Sequence, residues 1–281
     1  MPSEKTSILF VDDDPSLLAS LRRLFHRFSE NWEMGFCSSA EEALNRLENQ
    51  HTDVVVSDIR MPDMDGAELM RAVAQNYPRV IRFIMSGQAE KAKVLELVEV
   101  THQYFTKPCN PNKLFDAVSG IMAKRQQIDC DQLSDQLTGL AWIPIGDQSY
   151  ADLKAELAET EPNINRVVEI VRGDVGLGMK VLQLFSTSFF GSPQPGCDLS
   201  LACRTLGVDL LGSVFLGPHQ QQVTSSHVND EFYVRVTDHW HVLQQKQNPA
   251  AQSRGGKGEA VFDYLMSLWG VHESSLTQQQ A

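Results

Sequence analysis

The sequence predicts an α/β doubly wound, five-stranded parallel sheet in residues 1–124 and an all-α domain in residues 137–281, joined by a linker at 125–136. Three observations carry this reading. Five short apolar runs alternate with helical periodicities between residue 6 and about residue 124, the pattern of parallel βαβ units with helices on both faces of the sheet. Four of those runs end in acidic, hydroxyl or lysine side chains. Beyond residue 125 the strand signals fade, and helical spacings follow one another.

"SILFVD" (7–12) is the first strand, and Asp14 with Pro15 then supplies an N-cap and a first helical residue. Leu17, Leu21, Leu24, Phe25 and Phe28 follow on one helical face. "WEMGFCS" (32–38) is a weaker second strand. Ser39 and Glu42 form a capping box for a helix carrying Ala43, Leu44 and Leu47. "DVVVSD" (53–58) is the third strand, with Asp65 and Glu68 at cap spacing before a helix holding Leu69 and Val73. "RVIRFIMSG" (79–87) is the fourth, followed by a helix over 88–99. "HQYFTK" (102–107) is the fifth. Asn110 and Pro111 open a last helix with Leu114, Val118, Ile121 and Met122 on its apolar side.

The 281-residue length favours two domains, and 42% hydrophobic with 21% charged residues is an ordinary globular composition. A formal net charge of -12 argues against nucleic acid and acidic membrane as general partners, since phosphates would be repelled. The five cysteines (Cys37, Cys109, Cys130, Cys197 and Cys203) form no C-x-x-C pair, which favours reduced thiols. "ILFV" is far short of a signal-peptide core, and no apolar run is long enough to span a bilayer. The expected location is cytoplasmic.

Ligands of a doubly wound sheet bind beyond the carboxyl ends of its strands. Strand one ends in Asp12 and Asp13, strand three in Asp58, strand four in Ser86, and strand five in Lys107-Pro108. Three converging carboxylates repel unless a cation sits among them, and hard oxygen donors with room for water suit Mg²⁺. A lysine and a hydroxyl facing the same point suit phosphoryl oxygens. Phosphoryl transfer to a carboxylate uses all of these groups together.

"ILFVDDDP", "VVVSDIRMPDMDG", "IMSG" and "YFTKP", in this order and spacing, resemble the receiver domain of two-component response regulators, a flavodoxin-like fold. The resemblance covers residues 5–124. It implies that Asp58 accepts a phosphoryl group from a histidine kinase or phosphotransfer protein. It also implies that Asp12, Asp13 and Asp58 hold Mg²⁺ with the backbone carbonyl of Arg60, that Ser86 and Lys107 contact the phosphoryl oxygens, and that Tyr104 is the switch aromatic.

In the second half, Leu153 and Leu157 suit one helix and Ile164, Val167, Val168 and Val171 another. Val175, Met179, Leu182 and Phe189 suit a third; Leu199, Ala202, Leu206 and Leu210 suit a fourth beyond the break "GSPQPG". Residues 167–216, with "LTGLAWIPIG" before them and "DHWHVLQQ" and "EAVFDYLMSLWGVHE" after, resemble the HDOD domain, a helical relative of HD phosphohydrolases that lacks the catalytic metal ligands. Val175 and Ser186-Thr187 depart from that family's usual residues. Polar "NPAAQSRGGKGE" stands where further helices normally fall, which implies an abridged version. Asp238, His239 and His241 suggest a metal site. In a helical setting, however, histidines two apart point to nearly opposite sides. His219 and His227 lie in a polar loop, and the "GLG" at 176–178 follows no strand and so is no nucleotide fingerprint.

The expected function is phosphorylation-dependent signalling relayed through a non-catalytic helical output domain to an unidentified protein partner, with a homodimer left open. The alternative is a receiver-regulated HD-type metal phosphodiesterase acting on a cyclic dinucleotide.

Overall fold

The computed structural model describes residues 5–87, 91–128, 131–140, 142–187, 189–190, 198–217, 236, 240 and 257–271. The chain divides into two compact units, Met1–Ala141 and Trp142–Ala281.

The first unit is a five-stranded parallel sheet in the order β2-β1-β3-β4-β5, formed by β1 (Thr6–Val11), β2 (Trp32–Cys37), β3 (Val54–Ser57), β4 (Ile81–Ser86) and β5 (Gln103–Thr106). The predicted doubly wound α/β class is what the chain adopts. Strand β3 lies at the centre with Val54, Val55 and Val56 fully buried, and each contributes about 1.5–3 kcal/mol of apolar burial. Between the strands run α1 (Pro15–Phe25), α2 (Ala40–Asn49), α3 (Gly66–Asn76) and α4 (Lys91–Glu96), and α5 (Pro111–Arg125) follows β5. The expected cap residues are in place, although the Glu42 carboxylate accepts from Ser38 N–H and not from Ser39, so the expected Ser39–Glu42 box is not reciprocal. The Asp14 carboxylate accepts from Ser16 and Leu17, Ser39 accepts from Glu42, and Asp65 and Glu68 form a reciprocal capping box.

Three local differences from the sequence reading have clear causes. Helix α1 stops at Phe25 and tightens into a 3-10 turn over His26–Phe28, so Leu24 faces outward at 40% exposure while Leu21 and Phe25 are buried. Phe28 instead stacks on Phe115 of α5 at 4.2 Å, beside Trp32. The helix expected over 88–99 is the short α4 followed by a turn, with residues 88–90 outside the described part. Residues 125–136, read as a helix extension or linker, contain the start of a separate helix, α6 (Asp131–Gly139), which belongs to the first unit.

The second unit is helical in its described residues: α7 (Asp147–Leu157), α8 (Ile164–Gly173), α9 (Val175–Phe185), α10 (Leu199–Phe215) and α11 (Lys257–Leu268). Helix α9 is buried on every face, including Lys180 and Gln183. The Lys180 ammonium donates to Gln183 Oε1 at 2.6 Å and lies 4.3 Å above the Trp142 ring, which offsets the cost of burying the charge. Asp174 caps α9 and accepts from Gly146 N–H at 2.9 Å, pinning the entry segment to the helix start. Burial pushes the Asp174 carboxyl above its ordinary value, against the pull of these backbone donors. Helix α10 is kinked at Gly207, whose φ of 78° is open to glycine. Asp238, His239, His241, His219 and His227 lie outside the described residues.

A candidate phosphoacceptor site

Strand pairing assembles the site. Val11 and Ser57 are partners in the β1–β3 ladder, and Asp58 N–H donates to the Val11 carbonyl at 2.9 Å, so the residues following each strand, Asp12 and Asp58, are neighbours. On the other side Ser86 pairs with Thr106, and Lys107 N–H donates to the Ser86 carbonyl at 2.8 Å. Four strands thus deliver two carboxylates, a hydroxyl and an amine to one edge.

The side chains meet there. Lys107 Nζ lies 2.7 Å from Asp12 Oδ2 and 2.5 Å from Asp58 Oδ1. Asp58 Oδ2 accepts from Arg60 N–H at 3.0 Å, and Asp12 Oδ1 from Asp14 N–H at 3.0 Å, so each carboxylate is held by both oxygens. The Asp58 backbone is equally fixed: Ser57 Oγ donates to the Asp58 carbonyl at 2.7 Å, and Gly66 packs against that same oxygen. Asp63 adopts φ 64°, which bends "MPDMDG" back so that Asp65 can cap α3. The Lys107–Pro108 peptide is cis.

Electrostatics follows from this packing. Burial pushes the Asp58 carboxyl above its ordinary value, with the hydrogen bond and charge of Lys107 opposing and the Asp12 charge reinforcing the rise. Burial acts to lower the Lys107 ammonium, but its bonds to Asp12 and Asp58 outweigh burial and raise it. A lysine shared by two carboxylates holds the cluster together, and a carboxylate with raised proton affinity is also a better nucleophile.

The other expected residues lie as follows. Ser86 is fully buried at the end of β4, its hydroxyl 3.4 Å from the Gly87 carbonyl. Tyr104 is buried in β5, which pushes its phenol upward against the effect of the Thr101 hydroxyl beside it. Asp13 is exposed. Among the described residues no three His, Cys, Asp or Glu side chains stand together in a metal-holding group, so Asp13 is not drawn onto the Asp12–Asp58 pair. The donor chemistry nevertheless fits Mg²⁺: two carboxylates already converge on one cation, the ammonium, and only oxygen is offered.

The sequence reading missed Arg82 and His102. Both are fully buried near the opposite ends of β4 and β5, and they bind α6. The available signal was an arginine inside the apolar run "RVIRFIMSG".

Residues 8–119 match the family model described as the response regulator receiver domain, so this part of the chain is a receiver domain. More particularly, the chain is 30% identical over 140 residues to the hydrogenase transcriptional regulatory protein HoxA of Cupriavidus necator, covering 49% of this chain and 28% of that protein. It is also 30% identical over 140 residues to the heme response regulator HssR of Staphylococcus epidermidis, covering 49% of this chain and 61% of that protein. Among solved structures, the CheY-like receiver domain protein of Methanospirillum hungatei is 26% identical, with a TM-score of 0.41, covering 44% of this chain and 98% of that one. The chain spans between about a quarter and a half of the first curated relatives it matches. No helix among the described residues is long and apolar enough to cross a membrane.

Proposed function

We propose that the protein is a cytoplasmic response regulator that accepts a phosphoryl group on Asp58 from a histidine kinase or phosphotransfer protein and relays the change through its helical unit. The observation that carries this reading is the Lys107 ammonium bound to Asp12 and Asp58 at the carboxyl edge of the sheet. The bond formed joins an Asp58 carboxylate oxygen to phosphorus. The bond broken joins phosphorus to the donor's imidazole nitrogen, which leaves with the electron pair. Arg60 N–H holds the carboxylate plane for the attack. Lys107 then follows the new charge onto a phosphoryl oxygen, and the Ser86 hydroxyl donates to another. Asp12, Asp13, Asp58 and the Arg60 carbonyl would hold Mg²⁺, Asp13 by turning inward from its exposed position. That ion supplies neutralisation of the charge on the transferring group.

The second unit is, in this reading, an abridged HDOD-like module without catalysis that works by protein–protein contact. Its support is the resemblance of residues 167–216 and the spacing of "DHWH", which does not direct two histidines to one ion from a helix. Turnover of cyclic dinucleotides by the full chain with Mn²⁺, lost in His239→Ala and His241→Ala, would promote the phosphodiesterase alternative.

The test of the phosphoacceptor is intact-mass detection of phosphate after incubation with acetyl phosphate and Mg²⁺. The wild type gains one base-labile phosphoryl group and Asp58→Asn gains none, while Asp13→Asn needs more Mg²⁺. Uptake by Asp58→Asn at the wild-type rate sinks the assignment, and an unchanged Mg²⁺ titration removes Asp13 from the site.

A further inference from the structure

Arg82 is the second residue of β4, at the end of the sheet away from the carboxylates, and is fully buried, so every arm of its guanidinium needs an acceptor. Nε donates to the Val100 carbonyl at 2.6 Å and Nη1 to the Val80 carbonyl at 3.0 Å. Nη2 lies 3.0 Å from His102 Nε2 and reaches the Thr138 carbonyl at 3.4 Å. His102, equally buried, accepts the Arg82 backbone N–H on Nδ1 at 2.9 Å. That bond assigns the proton of the neutral ring to Nε2, which donates to the same Thr138 carbonyl at 3.0 Å.

Thr138 is the last residue but one of α6, so its carbonyl is among those left without an intrahelical partner. Two buried donors, one of them cationic, therefore cap the negative end of α6. A second arginine holds the body of the helix. Arg125, at the end of α5, donates through Nε to Ser134 Oγ at 2.9 Å and through Nη2 to Asp135 at 2.6 Å. The segment that joins the receiver to the second unit is thus docked on the receiver by specific polar bonds.

The anchors share their strands with the proposed phosphoryl contacts. Arg82 and Ser86 are both in β4; His102 directly precedes β5, which leads to Lys107. Tyr104, two residues beyond His102, lies beside Thr101, whose neighbour Val100 takes the shortest Arg82 bond. A phosphoryl group adds charge and acceptors that draw Lys107 and Ser86 toward Asp58. Both groups stand on β4 and at the end of β5, the strands whose starts carry Arg82 and adjoin His102. The Arg82 bond to the Thr138 carbonyl, at 3.4 Å, is a long one.

We propose that Arg82, His102 and Arg125 form a latch holding α6 on the unphosphorylated receiver, and that phosphoryl capture at Asp58 releases it. The latch rests on the phosphoacceptor reading above. Release frees a helix that ends three residues before Trp142, where the second unit begins.

The experiment is hydrogen exchange of the full chain, with and without acetyl phosphate and Mg²⁺, with intact mass followed in the same samples. Phosphorylated wild type should exchange its α6 amides about ten-fold faster than the unmodified protein. A Cβ on Gly139 lies 3.4 Å from Pro78 Cβ, close to the spacing of a disulfide. The double variant Pro78→Cys with Gly139→Cys, once oxidised, should take up phosphate normally yet keep α6 protected until reductant is added. His102→Ala should show fast α6 exchange without phosphate, and Arg125→Ala, at a less buried site, serves if that variant does not fold. Phosphate uptake with no change in α6 exchange overturns the latch and leaves Asp58 as phosphoacceptor. Failure of the cysteine pair to oxidise overturns the docked position of α6. No phosphate uptake by the wild type overturns both readings.

Discussion

Gly66→Ala is a severe test of how the carboxylate of Asp58, the proposed acceptor, is positioned. A Cβ at residue 66 would stand 2.0 Å from the Asp58 carbonyl oxygen, 2.9 Å from Ile59 Cα and 3.0 Å from the Asp58 carbonyl carbon. All three neighbours are backbone, and none can swing aside. Restoring normal contact requires a shift of more than about 1 Å in a peptide that is tied on both sides. Asp58 N–H is bound to Val11, the Asp58 carbonyl to Ser57 Oγ, and Gly66 N–H to the Ile59 carbonyl at 2.8 Å. Overpacking of this kind costs about 3 kcal/mol, and the better helix propensity of alanine returns at most about 1 kcal/mol. We therefore expect a net loss of about 2 kcal/mol in the first unit, read from urea dependence of exchange at the β1 and β3 amides. The same shift carries the Asp58 carboxylate off its Lys107 and Arg60 contacts, so the rate of phosphate uptake should fall about a hundred-fold. Stability within about 0.5 kcal/mol of wild type together with a wild-type uptake rate would refute the positioning argument.

Two further substitutions follow from the charges of the cluster. The Asp58 carboxyl is raised, so the folded state binds its proton more tightly than the unfolded chain and loses stability as pH climbs from the ordinary carboxylate value through the folded one. Asp58→Asn removes that loss and should raise the urea midpoint at neutral pH but not at low pH; a lower midpoint at neutral pH contradicts the raised value. Lys107 is raised as well, so its contribution is complete below the ordinary lysine value and disappears as pH rises through the folded one. Lys107→Met leaves Asp12 and Asp58 facing each other without a cation. It should cost about 2 kcal/mol at neutral pH, less than a fully buried pair would because the lysine is partly exposed, and little at the alkaline end. A pH-independent deficit would assign the loss to packing.

The fold class and the residues at the strand ends were legible because they rest on short-range rules. Apolar runs, caps and helical spacing fix the elements, and a parallel sheet then brings the ends of its strands together. What escaped depends on partners distant in sequence. Leu24 lies on the apolar face by spacing, yet a tightening of the chain after Phe25 leaves it exposed while Phe28 finds Phe115. Helix α6 reads as linker because its own sequence is polar; its docking depends on Arg82 and His102, which bury polar groups against one carbonyl. Asp13 shares its strand end with Asp12 in the sequence, yet its side chain is exposed while that of Asp12 is buried, a difference that no local pattern encodes.

The glycines of "GLG" at 176–178 show how the structure turns a dismissed motif into packing. A nucleotide fingerprint needs glycines that leave room for a phosphate to approach the backbone. Here the room is filled. A Cβ on Gly176 would meet the Ile143 and Pro144 carbonyl oxygens at 2.6 and 2.7 Å, and one on Gly178 would meet Trp240 Cζ2 and Cη2 at 2.3 and 2.4 Å. The "WIPIG" segment and a fully buried indole both close on α9, and Trp240 Nε1 donates to the Arg172 carbonyl at 3.1 Å. Gly176→Ala presses on backbone and should cost the second unit about 2 kcal/mol. Gly178→Ala presses on a rigid ring with nowhere to go, at similar cost, and should also shift the emission of Trp240 as its bond to Arg172 breaks. Urea unfolding followed by exchange in α9, with fluorescence alongside, measures both effects. Two alanine variants within about 0.5 kcal/mol of wild type, with unchanged emission, would mean that the glycines are there for something other than packing.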